Sequence, residues 1–435
     1  MNPPLPEDKS PVRARSMRRW IAFVRNSDTV RYFIGKGVLL WPLNILALAL
    51  GFVSTILYAR LLTPEQYGEF SYVMAMMLLL NPLSLPGINI AVAQAAAQEF
   101  DGFIALGTRV RLRFSLFGTV AMAVIGLVCW HSKGPVVAIS CFIAAAVFPV
   151  FNSFDNCWAI LTGKKQFEMF AKLRLAGMLT TTGATWLALL WTRSVPWVFA
   201  ANVSSAALTQ FIFYHVSVRR FKANERVNPE SLRYGKRLTW LDVIGSIEWR
   251  ADQVVVGTFL PFAELGWFNM ASRIKDAIIQ ETWNVAASLL FPRLAECSDQ
   301  EARRRVRVWR VYLIVAFIAL AVLFWVFASW LLPLILGPAY VQSVRLSRWL
   351  VVIWALGSAW LIFEVYCKAR AAEKTLWIAR LVLTGTHLMI LMLLIKPLGL
   401  TGVLISVAGA RVAVTAAVAV MSGRNHSRLD GGTVA

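Results

Sequence analysis

The chain has 435 residues, 58% of them hydrophobic and 15% charged, with a formal net charge of +21. Soluble domains are about half apolar and a quarter charged, so a water-soluble core is excluded: the apolar surplus has nowhere to go except lipid. The basic surplus would point to nucleic acid in a soluble chain, but here it falls between apolar blocks, and a nucleic acid partner is set aside.

In chain order, residues 1–36 form a basic tail. Its apolar run at 20–24 is too short for the core of a secretory signal and is followed at once by Arg25. Trp20, Phe23, Tyr32 and Phe33 among the basic residues leave two readings, an interfacial helix and a solvated tail. A bilayer span needs about 20 apolar residues. Such windows predict transmembrane helices at 37–59, 69–90, 114–132, 135–161, 175–192, 195–217, 239–260, 265–291, 311–336, 346–367, 376–395 and 399–421. The second contains Asn81-Pro82 and Pro86-Gly87. Proline removes a backbone donor and bends a helix; the bend suits a rocking bundle and a static one equally.

The connections alternate between basic and nearly neutral. Counting residues at span edges with the adjoining loop, 34 of the 44 Lys and Arg lie in the two tails and the loops after even-numbered spans. Six (Arg60, Lys133, Arg193, Arg345, Arg348 and Lys396) lie on the other side, and four (Arg250, Arg273, Lys275 and Arg411) fall inside spans. This bias makes the basic side cytoplasmic, with both termini inside and an even span number. The longest polar stretch, 218–238, divides the spans six and six, a common transporter plan. The expected fold is an all-α polytopic membrane protein with about twelve transmembrane helices in two six-helix lobes around a central cavity. The expected divisions are a tail 1–36, an N-lobe 37–217, a cytoplasmic linker 218–237, a C-lobe 238–421 and a tail 422–435.

Polar residues inside apolar spans face a cavity or a partner. In span 8, Asn269, Arg273, Asp276, Gln280, Asn284 and Ser288 recur at intervals of three and four and predict one polar stripe. In span 7, Asp242, Ser246, Trp249 and Gln253 share a face with Glu248 and Asp252 beside it, while Arg250 is expected to point elsewhere. Two readings remain, ion pairing of Asp252 with Arg273 or Lys275 across spans 7 and 8, and a functional cavity carrying both signs. Glu364 can line a site or snorkel with Lys368; Arg411 is too deep to snorkel. Asn152, Asp155 and Asn156 in span 4 suit hydrogen-bond glue between helices.

No catalytic constellation emerges. His131, His215, His387 and His426 are scattered, and no nucleophile elbow, phosphate loop or metal-ligand motif is found. Cys129, Cys141, Cys157 and Cys367 read as small buried hydrophobes and Cys297 as one reduced thiol. The reading is therefore of a protein that is not an enzyme and carries no metal or cofactor.

Residues 58–70 (YARLLTPEQYGEF) resemble the signature that follows the first span of Wzx-like bacterial polysaccharide flippases, in the oligosaccharide and polysaccharide exporter family of the MOP superfamily. Residues 250–257 (RADQVVVG), 263–271 (AELGWFNMA), 291–294 (FPRL), 336–340 (LGPAY) and 399–403 (GLTGV) resemble later landmarks in the same order. Trp267-Phe268 departs from the usual pattern, and the basic tail is not part of it. The resemblance covers roughly 37–421. It implies a bacterial inner-membrane flippase that moves an undecaprenyl-diphosphate-linked oligosaccharide outward for surface polysaccharide synthesis. Its partners would be that substrate, membrane lipids, and the polymerase and glycosyltransferases of the same pathway. For such a cargo, Arg273, Lys275, Arg250 and Arg411 suit the phosphates. Asn269, Gln280 and Asn284 suit sugar hydroxyls, and Asp252, Glu281 and Glu364 suit a coupling ion. Competing readings are a multidrug or small-cation exporter of the same superfamily, a membrane-embedded polymerase or ligase, and a scaffold that transports nothing.

Overall fold

The computed structural model describes residues 28–221, 224–370 and 372–430. Most of the basic tail and the last five residues lie outside the described residues, as do the side chains of Asp242, Gln280, Glu281 and Ser288. Among the described residues every regular element is helical. The helices are α1 (Asp28–Leu61), α2 (Pro64–Leu79), α3 (Gly87–Ala97), α4 (Gly102–Ser132), α5 (Pro135–Ser153), α6 (Asn156–Gly163), α7 (Phe167–Trp191), α8 (Val195–Phe221), α9 (Pro229–Phe259), α10 (Phe262–Lys275), α11 (Glu281–Glu296), α12 (Asp299–Leu336), α13 (Val341–Leu356), α14 (Ser358–Ala369) and α15 (Glu373–Asp430).

Each predicted span lies on helix, but four spans are not simple rods. Span 2 is α2 and α3 joined by a short 3₁₀ turn, Asn81–Ser84, with Leu85 in a left-handed conformation (φ 56°). Asn81-Pro82 cannot continue the α-helix, and Leu85 turns the chain before Pro86. Span 4 breaks between α5 and α6 at about the same depth. Span 8 is α10 and α11 joined by a π turn, Asp276–Gln280, and span 10 bends by 49° between α13 and α14. In α15, spans 11 and 12 meet at Gly399 (φ 54°, ψ −134°), a conformation open to a residue without a Cβ. Among the described residues six helices are long and apolar enough to cross a membrane, or seven when the bent pair counts as one span.

Several helices also run past the apolar windows at the end that carries the basic loops. α4 begins at Gly102, α9 at Pro229 and α12 at Asp299, each well ahead of the apolar residues. Hydropathy marks only the length that must sit in hydrocarbon. The helix continues beyond it because Arg, Lys and Glu are good helix formers. α12 is started by Ser298, whose side chain accepts from the Glu301 N–H.

The helices of the N-terminal half pack chiefly on one another, through α4 with α5, α5 with α8, α7 with α8 and α1 with α7. Those of the C-terminal half do the same, through α12 with α13, α10 with α13, α11 with α14 and α9 with α15. The halves meet through α2 against α10 and α3 against α9. Side chains on the outside are apolar: Leu187, Trp191, Trp330 and Val412 are largely exposed, as a lipid-facing surface requires.

Both of these crossings bring backbone against backbone. At the charge-poor end, Gly68 of α2 and Gly266 of α10 cross. A Cβ on Gly68 would overlap the Phe262 carbonyl, and one on Gly266 the Pro64 carbonyl. Thr63 starts α2 with a capping box: its hydroxyl accepts from Gln66 N–H at 3.2 Å and its own N–H donates to Gln66 Oε1 at 3.0 Å. Arg60 donates to the carbonyls of Ile335 (2.8 Å) and Leu334 at the end of α12, and Tyr340 Oη donates to the Leu62 carbonyl (3.3 Å). Toward the basic end, Gly87 of α3 lies against the Gly235 carbonyl and the Thr239 amide of α9. There the Gly87 N–H donates to Thr239 Oγ1 at 3.2 Å. The polar stretch 218–238 is mostly helix, and its described loop is tied down: Asp101 N–H donates to Asn224 Oδ1 (3.2 Å), and Gly102 N–H to the Arg226 carbonyl (3.0 Å).

Candidate functional site

The C-terminal half encloses a cavity of about 210 Å³. α9 supplies Glu248, Arg250, Asp252 and Gln253; Lys275 and Asp276 come from the α10–α11 junction, Trp354 from α13, and Thr384, His387 and Arg411 from α15. The charges are ordered around one ring. Arg411 lies 3.7 Å from the centre of the Trp354 indole and Lys275 lies 4.4 Å from it. Cations are held on an indole face by its quadrupole, most strongly where water is scarce. Both are only 9% exposed. Lys275 also pairs with Asp276 at 2.8 Å.

Two acceptors are left over. Glu248 Oε2 and Thr384 Oγ1 are buried without a hydrogen-bond partner among the described residues. Asp252 Oδ1 accepts only a local hydrogen bond, from Gln253 N–H at 2.7 Å, among the described contacts. Buried polar groups that lack partners are costly, so a lining of this kind is suited to a polar guest.

A π turn, Asp276–Gln280, interrupts span 8 in its middle. π turns of this kind occur often at functional sites.

The predicted stripe is split. Asp276 lines the cavity, but Arg273 points away from it, into the seam between the halves. Its guanidinium lies 5.5 Å from the ring centre of Tyr58 and 5.9 Å from that of Tyr67. Asn269 is 4% exposed with Nδ2 unpartnered and does not line the cavity, while Asn284 is exposed. The side chains of Gln280 and Glu281, expected in the site, lie outside the described residues. The expectation that Arg250 points away from Glu248 and Asp252 is corrected: all three line the same cavity, because the site wraps around α9 instead of meeting one stripe. Of the two readings left open for spans 7 and 8, the pairing of Asp252 with Arg273 or Lys275 is not among the described ion pairs: Lys275 pairs with Asp276, and Arg273 lies on the tyrosines. Glu364 lies outside the cavity lining. Its Oε1 accepts from Lys368 (2.8 Å) and from Arg380 (2.7 Å), which adds an arginine to the snorkelling pair.

Sequence reasoning missed Trp354, His387 and Arg111. Trp354 had a usable signal: it lies in mid-span, away from the interfacial level at which tryptophans collect. Arg111 was counted with a loop, yet it lies on α4 and is fully buried. It falls on the buried row Gly107, Thr108, Arg111, Ser115, Gly118 and Met122, whereas Arg109 and Arg113 are exposed.

The glycines of the resemblance have physical roles. Gly68 and Gly266 make the crossing of α2 and α10, and a Cβ on Gly257 would overlap Tyr72. The four described cysteines in spans are buried, and all five are free.

Comparison with known proteins agrees with this architecture. The profile of a family described as polysaccharide biosynthesis protein matches residues 57–345. A Klebsiella pneumoniae protein described as an uncharacterized membrane protein in the cps region is 19% identical over 318 residues, covering 71% of this chain. The chain spans 64% of that relative's length. Among solved structures, an inward-facing multidrug resistance MATE family transporter of the MOP superfamily superposes with a TM-score of 0.63 at 13% identity, covering 89% of this chain and 96% of that one. The lipid II flippase MurJ in an inward closed conformation superposes with a TM-score of 0.62 at 11% identity, covering 88% and 86%. The family match over residues 57–345 makes this protein a member of the polysaccharide biosynthesis protein family, a multi-pass membrane protein with the fold of those transporters.

Proposed function

We propose that the protein flips an undecaprenyl-diphosphate-linked oligosaccharide from the inner to the outer leaflet of a bacterial inner membrane, for O-antigen, exopolysaccharide or capsule synthesis. The observation that carries this reading is a buried ring of cations and carboxylates inside an otherwise apolar bundle. Charge at that depth is expensive, and a transported anion repays its retention. Twelve spans form two lobes, 37–217 and 238–421, with the basic end and both termini in the cytoplasm. Arg273 in the seam is placed to meet a diphosphate first, and Arg250, Lys275 and Arg411 to receive it. Asn269, Gln280 and Asn284 turn to sugar hydroxyls as the seam opens. Asp252, and with it Glu281 and Glu364, binds the ion whose release resets the cycle. To pass the cargo from one leaflet to the other the lobes part in turn, at Gly87–Thr239 on one side and at Gly68–Gly266 on the other.

The acidic side chains of the cavity favour one second reading, a small-cation exporter with the same architecture. Depletion of the protein separates the two. The flippase reading expects a single lipid-linked repeat unit to accumulate on the cytoplasmic face. Normal surface polysaccharide with raised cation sensitivity would replace that reading with the exporter. Altered polymer length without accumulated precursor would point instead to a polymerase.

A further inference from the structure

Arg111 has no part in the transport site, yet it is the largest fully buried side chain of the described residues. Its Nε donates to the Ser84 carbonyl (3.2 Å) and its Nη2 reaches Ser84 Oγ (3.5 Å). Its Nη1 donates to Asn89 Oδ1, Asp155 Oδ1 and Asn156 Oδ1, the last at 3.0 Å. A second layer braces these partners: Asn89 Nδ2 donates to Asp155 Oδ2 (2.8 Å) and Asn156 Nδ2 to Thr108 Oγ1 (3.0 Å). The partners are not spread along the helices. They sit at the two places where spans break, the α2–α3 turn and the α5–α6 junction.

This placement has a consequence for Gly87. Ser84 lies three residues before it and Asn89 two residues after it, so one guanidinium grips the chain on both sides of the residue that touches α9. Between them the chain has lost regular helix: Pro82 and Pro86 supply no N–H, and Leu85 is left-handed. The segment's own hydrogen bonds, from Leu85 N–H to the Pro82 carbonyl (3.1 Å) and from Ile88 N–H to the Leu85 carbonyl (3.1 Å), shape the turn locally but do not tie α3 to the neighbouring helices. The planar five-donor fork of arginine can do so, and a lysine in its place has no such geometry.

We infer that Arg111 is a positioning residue for closure of the basic end: it aims α3 so that Gly87 meets Gly235 and Thr239 of α9. The inference rests on the alternating-access reading above only for the word closure; the contact itself is in the structure.

The test places spin labels on the full-length protein in bilayers, at exposed Gln98 after α3 and exposed Arg233 at the start of α9. A second labelled pair, at exposed Thr192 and Leu398, reports the charge-poor end. In Arg111→Gln the ratio of wide to narrow distances at the basic end rises about tenfold, because a misaimed α3 loses the Gly87–Thr239 hydrogen bond that holds the narrow state. The charge-poor pair stays as in the parent. Arg111→Lys keeps the charge and is not expected to restore the narrow distance. If Arg111→Gln fails to accumulate, Asn89→Ala leaves the Arg111–Asp155 pair in place and widens the same distance by a smaller factor. An unchanged basic-end distribution in whichever variant accumulates overturns the inference, as does equal widening at both ends, which marks general loosening. These distances need no substrate, so a failure of the flippase reading would leave them intact and be recognised separately.

Discussion

Arg411 of α15 lies face-on to Trp354 of α13, 3.7 Å from the indole centre, in the interior of the C-terminal half. Lys275, from a third helix, lies 4.4 Å from the same ring. One aromatic side chain thus carries two buried cations, of which Lys275 is also paired with Asp276. Trp354→Leu keeps an apolar side chain and removes the π face. A desolvated cation–π contact is worth about 2 kcal/mol, so export should fall by about tenfold or more at normal membrane abundance. Surface polysaccharide measured beside protein level in a complemented null strain checks this.

The two in-span residues with the clearest separate roles are Arg273 and Asp252. Arg273→Ala removes the cation in the seam, and Asp252→Asn the carboxylate that faces the cavity with no described ion partner. Each variant is expected to insert and accumulate normally while export is lost. Wild-type export from well-expressed forms of both would remove them from the site.

Closure at the charge-poor end depends on backbone contact. Gly68→Ala or Gly266→Ala puts a methyl group into a carbonyl oxygen of the opposing helix. Relief requires the halves to separate, since overpacking typically costs about 1–3 kcal/mol. Both variants should therefore label readily with a membrane-impermeant thiol reagent at a cysteine placed on Tyr340, which is buried in the parent. Gly51→Ala is the control: nothing lies within 4 Å of a Cβ there, and labelling should match the parent.

Arg60 reaches across the same end to cap α12. Arg60→Gln removes hydrogen bonds to two carbonyls that α12 cannot satisfy internally. Charged hydrogen bonds are worth about 1.5–3 kcal/mol each, so this variant should open the charge-poor end more often. Double electron–electron resonance between Thr192 and Leu398 should show a larger wide population, with the Gln98–Arg233 pair unchanged.

Glu364 offers a direct contest between two roles. If its double ion pair with Lys368 and Arg380 is only structural, Glu364→Gln lowers the melting temperature by a few degrees and leaves the ion dependence of transport as it was. If it couples an ion, the dependence shifts at equal stability. Transport by reconstituted protein against sodium and proton gradients distinguishes them.

The sequence by itself determined that the chain is a helical membrane protein, where its apolar helices run, and which loops carry the positive charge. Those features depend on the solvent of each segment, and hydropathy reads solvent directly. It also placed Asp252, Arg273, Lys275 and Arg411 among the residues that need an interior partner, because charge inside an apolar span has few alternatives. Only the tertiary structure decided which partners they have. Arg250 joins Glu248 and Asp252 because α9 is enclosed by α10, α13 and α15 together, and no single helical wheel contains that fact. Arg273 leaves the stripe for Tyr58 and Tyr67 because α1 and α2 of the other half lie opposite it. Arg111 looks like a loop charge from its position ahead of an apolar window. It becomes a buried clamp because α4 runs past that window and packs against two broken helices. Local pattern reports the medium around each helix, and the contacts between helices are settled by segments tens to hundreds of residues away.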